Sequence, residues 1–111
     1  MFKKPLRLTK REIKLFFNSK PRYTKGGYVV LRYLKNKKPH SRFAFIVSGP
    51  KKFAVGRNLA RRRMSEAVEL VYNKIPPGYD LVFFLKLVEK KVPTFKLIKE
   101  ETNNVLNKSN L

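Results

Sequence analysis

Three short runs rich in β-branched and aromatic residues, with one long helical pattern between the second and third, limit the fold more than anything else in the sequence. Residues 28–34 (YVVLRYL) lie between Gly26-Gly27 and a polar stretch from Lys35 to His40, and they read as a strand. Residues 42–48 (RFAFIVS) read as a second strand, antiparallel to the first if the intervening loop closes a hairpin. Residues 79–87 (YDLVFFLKL) follow the punctuation Pro76-Pro77-Gly78 and are apolar enough to be central in a sheet. Residues 20–27 add at most a short edge strand, because Pro21 and the two glycines weaken it. A helix placed before the last strand of a sheet already begun implies a crossover unit. The expected fold class is therefore α+β, a single domain over residues 1–111 with a mixed sheet and with ends 1–5 and 107–111 frayed.

Three helices fit the remaining segments. Thr9-Lys10-Arg11-Glu12 has the spacing of a capping box, and Leu8 and Ile13 stand where a hydrophobic staple needs them. Ile13, Phe16 and Phe17 then recur at helical spacing to about Ser19. The longest helix starts at Phe53 or Arg57 and runs to Tyr72, with Ala60, Met64, Ala67, Val68 and Val71 on one face. A last helix begins near Thr94 and carries Phe95, Ile98, Thr102 and Val105 along one side.

Charge then narrows the function. The chain carries 27 Lys+Arg against 7 Asp+Glu, a formal +20 at pH 7. Self-repulsion on that scale is offset by a polyanion, and a nucleic acid is the favoured one. An anionic membrane surface or polyphosphate is the competing partner, but no apolar run is long enough to span a bilayer and the N-terminus lacks the pattern of a signal peptide. The absence of cysteine excludes disulfides and thiolate metal sites and fits a cytoplasmic location.

An independently catalytic protein is not expected. The single histidine, His40, sits in a polar loop, and there is no thiol nucleophile. Glu12 is accounted for by the cap, while Glu66, Glu69, Glu89, Glu100 and Glu101 lie on helical or loop surfaces among lysines. Asp80 opens a strand, where capping a turn after Gly78 explains it better than catalysis does. No glycine-rich phosphate loop, acid–base pair or metal triad assembles.

A binding surface is better supported. Arg57, Asn58, Arg61, Arg62 and Arg63 crowd the N-terminal half of the long helix, preceded by Lys51 and Lys52. Cations at that end oppose the helix macrodipole, a local cost that an external anion would offset. Guanidinium forks match phosphate geometry and stack on bases. The aromatics Phe16, Phe17, Tyr28 and Tyr33 are candidates for a platform on which single-stranded nucleic acid stacks, each set against ordinary core packing. Tyr28 and Tyr33 are an odd number of residues apart, so only one of them can share a face of the sheet with the platform. Phe43, Phe45, Phe83 and Phe84 are assigned mostly to the core.

Residues 54–69, AVGRNLARRRMSEAVE, resemble the basic helix of the bacterial ribonuclease P protein family, whose pattern is roughly A-V-x-R-N-R-x-K-R-x-x-R-E-A. The RLTKR-E segment, the RFAFIVS strand running into the basic helix and the GYDLVFF strand after it stand in that family's order, over about residues 6–105. The resemblance implies an αβββαβα sandwich with a left-handed βαβ crossover, a fold shared with a ribosomal protein domain. It also implies a non-catalytic protein subunit that binds a catalytic RNA through Arg57, Asn58, Arg61 and Arg62, with Lys51, Lys52 and Arg63 beside them. A cleft holding the 5′ leader of precursor tRNA would include Phe17, with Phe16, and either Tyr33 or Tyr28. Mg²⁺ would be held mainly by the RNA, with no cofactor or small-molecule substrate on the protein. The chain departs from the pattern at Leu59 and Ser65, where the family motif has arginines, and at Ile13, which stands in for a cleft phenylalanine. A small basic ribosomal protein is the alternative reading of the same size and charge.

Overall fold

The capping box forms as the sequence requires. In the computed structural model, which describes residue 2 and residues 6–111, the Glu12 amide donates to the Thr9 hydroxyl at 3.2 Å and the Thr9 amide to the Glu12 carboxylate at 2.9 Å. Helix α1 (Lys10–Asn18) follows, then strands β1 (Arg22–Lys25), β2 (Val29–Lys35) and β3 (Arg42–Ser48). Helix α2 (Ala54–Leu70), a 3₁₀ turn at Tyr72–Lys74, strand β4 (Tyr79–Lys86) and helix α3 (Phe95–Ser109) complete the chain. The order is αβββαβα.

The four strands lie in the order β1-β2-β4-β3, with β4 antiparallel to β2 and parallel to β3. The expected hairpin of residues 28–34 with 42–48 therefore does not form, because β4 is inserted between the two strands. The reason lies in β4 itself: Leu81, Phe83 and Leu85 are buried on one face and Val82 on the other, beside the partly buried Phe84. A strand that is apolar on both faces is stabilised most by a central position, with neighbours on both edges and cover on both sides. The doubtful edge strand within 20–27 exists as β1, paired to β2 alone.

Each face of the sheet has its own helices. Val29, Leu31, Phe43, Val47, Leu81, Phe83 and Leu85 pack with Ala60, Met64 and Val68 of α2 and with Ile98 and Val105 of α3. Most are fully buried, and each such side chain contributes roughly 1.5–3 kcal/mol relative to exposure. On the other face Leu8 and Phe16 pack on Ala44 and Val82, with Ile13, Leu34, Ile46 and Phe84 around them, so α1 lies over β3 and β4 and reaches β2. Toward β1 that face is left open, with Tyr23 exposed.

The sequence predicts fraying at residues 1–5 and 107–111, and the described residues at both ends pack on the core. Phe2 is buried, its ring stacked on Phe43 at 4.5 Å between centroids; residues 1 and 3–5 lie outside the described residues. Helix α3 continues to Ser109, which is itself buried, and Leu111 packs on the core. The apolar surface these residues cover outweighs the freedom of a terminus.

Candidate nucleic-acid interface

The start of the basic helix is shaped by a ring and a turn. Phe53 takes the N-cap position with no side-chain cap, and α2 has no acidic residue in its first turn. Its orphan amides and its arginines therefore concentrate positive charge at one end. Lys51 and Lys52 are exposed in the preceding turn, where Lys52 adopts φ 60°, a left-handed conformation that costs a side-chain-bearing residue about 1 kcal/mol.

The arginines predicted to act together divide by their partners. The Arg57 guanidinium is partly buried and donates to the Pro50 carbonyl at 2.7 Å, tying the turn to the helix. Arg63 donates to the Pro93 carbonyl at 2.7 Å, on the flank facing the connection into α3. Arg61 and Arg62 are exposed, and Arg61 donates to the Asn58 side-chain oxygen at 3.0 Å. Spacing of i, i+3, i+4 and i+7 puts Asn58, Arg61, Arg62 and Ser65 in one stripe. All four border a groove of about 660 Å³ between α2, the edge of β3 and the start of α1.

The aromatic candidates separate as well. Phe16 is a core residue at 3% exposure, whereas Phe17 is 37% exposed and lies over Phe84, ring centroids 5.7 Å apart. Tyr33 pairs in register with Leu81 and packs in the α2–α3 core, on the opposite face from Phe17. Tyr28 precedes β2: its amide donates to Glu101 of α3 at 2.7 Å and its ring packs against the same core. Neither tyrosine is brought to Phe17. The amide of Gly27 also donates to Glu101, at 3.1 Å, and a Cβ at Gly27 would stand 2.5 Å from that carboxylate, which would have to shift.

Residues absent from the sequence-based candidates take the tyrosines' place. Tyr23 on β1 is paired with Arg32 on β2, and the Arg32 guanidinium lies 5.8 Å from the Phe17 ring, 5.9 Å from Tyr23 and 5.5 Å from Phe84. These are cation–π distances, and they hold the guanidinium among three rings. The Arg32 Nε is buried without a hydrogen-bond partner, and Tyr23 is 65% exposed. The sheet face beside α1 thus presents a fixed arginine between two accessible rings. The signal was present in the alternation of β2: Val29, Leu31 and Tyr33 form the apolar set, so Arg32 had to face the other way.

Asp80 does not cap a turn. Its carboxylate receives two bonds from Arg42, each 2.9 Å, and one from Asn36 at 2.8 Å; Arg42 also pairs with Glu12. The hydrogen bonds that Arg42 donates to Asp80 raise the guanidinium's affinity for its proton. The Glu12 carboxyl is held below its ordinary range, first by the Thr9 amide and then, against the opposing effect of burial, by the Thr9 hydroxyl and Arg42. These carboxylates are engaged in structure, and the described residues hold no group of three His, Cys, Asp or Glu able to bind a metal ion.

Comparison with known proteins decides the family. The Ribonuclease P family model matches residues 2–110. The chain belongs to the family of ribonuclease P protein components. It is 39% identical over 85 residues to the ribonuclease P protein component of Clostridioides difficile, covering 76% of this chain and 74% of that one. The Acholeplasma laidlawii protein of the same name is 34% identical over 105 residues, 93% of this chain and 87% of its relative. The ribonuclease P protein structure from Thermotoga maritima superposes with a TM-score of 0.75 at 25% identity, over 92% of this chain and 96% of that one. A Staphylococcus aureus ribonuclease P protein shares the fold, with a TM-score of 0.78 over 96% of this chain and 90% of that one, at 23% identity. The ribosomal alternative is not favoured. No helix among the described residues is long and apolar enough to cross a membrane.

Proposed function

We propose that this ribonuclease P protein component grips the 5′ leader of precursor tRNA across the open sheet face while the α2 arginines dock on the catalytic RNA. Family membership carries the coarser statement: the chain is a subunit of an RNA-containing endoribonuclease and has an RNA partner. The observation that carries the finer one is Arg32, held between the accessible rings of Phe17 and Tyr23. Rings give bases a stacking surface, and a fixed guanidinium among them offers charge to the backbone; together they suit a single strand of any sequence. Mature tRNA lacks a leader, so this grip discriminates substrate from product. Phosphodiester hydrolysis is assigned to the RNA, with Mg²⁺ on RNA phosphates; on the protein, Glu12, Asp80 and Glu101 are each held by arginine or backbone donors.

The test is cleavage and binding with a bacterial ribonuclease P RNA at low Mg²⁺. Wild-type protein is expected to restore a mature 5′ end where RNA alone fails. Phe17→Ala should weaken binding of precursor tRNA about tenfold, from the roughly 1–3 kcal/mol of one lost stacked base, and leave mature tRNA unchanged. Equal losses for both tRNAs would refute the leader role.

A further inference from the structure

The groove beside α2 lies on the far side of α1 from the aromatic face, and its lining has a distinct chemistry. Phe2, stacked on Phe43 and Phe45 of β3, gives it an apolar floor with Val55 and Leu59 of α2. Arg7, Arg61 and Arg62 stand at its edge with Asn58, and no carboxylate is among its described lining residues. Val55 is 83% exposed, an apolar side chain left in water amid arginines. At about 660 Å³ the groove falls within the range of roughly 300–1,000 Å³ typical of small-molecule sites. An occupant that suits it has a flat apolar body and an anionic group at one end.

Leu59 and Ser65 sharpen the point. These are the two positions at which the helix replaces a motif arginine, and both line this groove. Leu59 supplies floor, and Ser65, 4% exposed, lines the groove without adding charge. Asn58 completes it, since its oxygen already accepts from Arg61 at 3.0 Å and its amide hydrogens remain to address a base edge.

We infer that this groove receives one unstacked nucleotide of the RNA partner, with its base against Leu59, Val55 and Phe45 and its phosphate on Arg61 and Arg62. The inference rests on the RNA-docking role of α2 and is independent of the leader grip. It makes docking at this point depend on stacking and shape, which salt does not screen, in place of the charge that Leu59 and Ser65 removed.

Adenosine 5′-monophosphate is the probe, titrated against the full chain and followed by methyl NMR, with ribose 5-phosphate as the comparison. The methyl groups of Leu8, Val55 and Leu59 should shift with the nucleotide and not with the sugar phosphate. Leu59→Arg should abolish the nucleotide-induced shifts at Val55 and Leu8, while Leu59→Met, which keeps the floor, retains them. Bound to a bacterial ribonuclease P RNA, Leu59→Arg should show a steeper salt dependence and about tenfold weaker affinity than wild type at high salt. Equal shifts from ribose 5-phosphate, no shifts from either compound, or tighter RNA binding by Leu59→Arg at every salt concentration would overturn the proposal. Nucleotide binding in the groove by a protein that does not distinguish precursor from mature tRNA would remove the leader reading alone.

Discussion

Replacing Arg42 by alanine tests the buried ion pair between β3 and β4. Arg42 and Asp80 face each other across the parallel β3–β4 pair, joined by two bonds of 2.9 Å, with side chains only 14% and 11% exposed. Removing the guanidinium leaves the Asp80 carboxylate buried with Asn36 as its remaining side-chain partner and frees Glu12 at the start of α1. Breaking one half of a buried pair costs about 3–5 kcal/mol, and residual access to water at the strand ends argues for the lower figure. At roughly 4 °C per kcal/mol for a domain of this size, about 3 kcal/mol lowers Tm by about 12 °C. Urea unfolding at pH 7 measures the loss directly. Arg42→Met with Asp80→Leu should be far less destabilising than the sum of the two single changes, because the double variant leaves no unpaired charge. A loss below about 1 kcal/mol for Arg42→Ala, or additive single effects, would refute the view that this pair is desolvated and coupled.

Other outcomes follow from the same geometry. Arg61→Ala and Arg62→Ala, both at exposed positions, should each weaken RNA binding and reduce its salt slope by about 1 with little effect on stability; an unchanged slope in filter binding across a salt series would count against phosphate contact. Tyr28→Phe removes a buried hydroxyl that has no hydrogen-bond partner, and stability at pH 7 should be unchanged or raised by up to about 1 kcal/mol in chemical unfolding. Burial, then the charges of Glu101 and Glu100, push the Tyr28 phenol up. The unfolded chain therefore ionises first as pH rises past the ordinary tyrosine range of about 10, stability falls there, and Tyr28→Phe should lessen that fall in thermal melts.

Local chemistry decided what the sequence alone could tell. The capping box at Thr9 and Glu12, the strand at 42–48 and the basic stripe of α2 depend on residues within a turn or two of each other, so spacing and side-chain type are enough to specify them. Tertiary structure decided the rest. Insertion of β4 between β2 and β3 is a long-range pairing, set by which strand gains most from cover on both faces. That pairing fixes the face of each β2 side chain, sending Tyr33 into the core and Arg32 toward Phe17 and Tyr23. The division of the arginines has the same origin: Arg57 and Arg63 are engaged by the carbonyls of Pro50 and Pro93, neighbours that only the folded chain supplies, whereas Arg61 and Arg62 keep the exposure that their helical position alone implies. A side chain's type follows from its codon, but its partners follow from contacts between residues far apart in the chain, and those exist only after the sheet has closed.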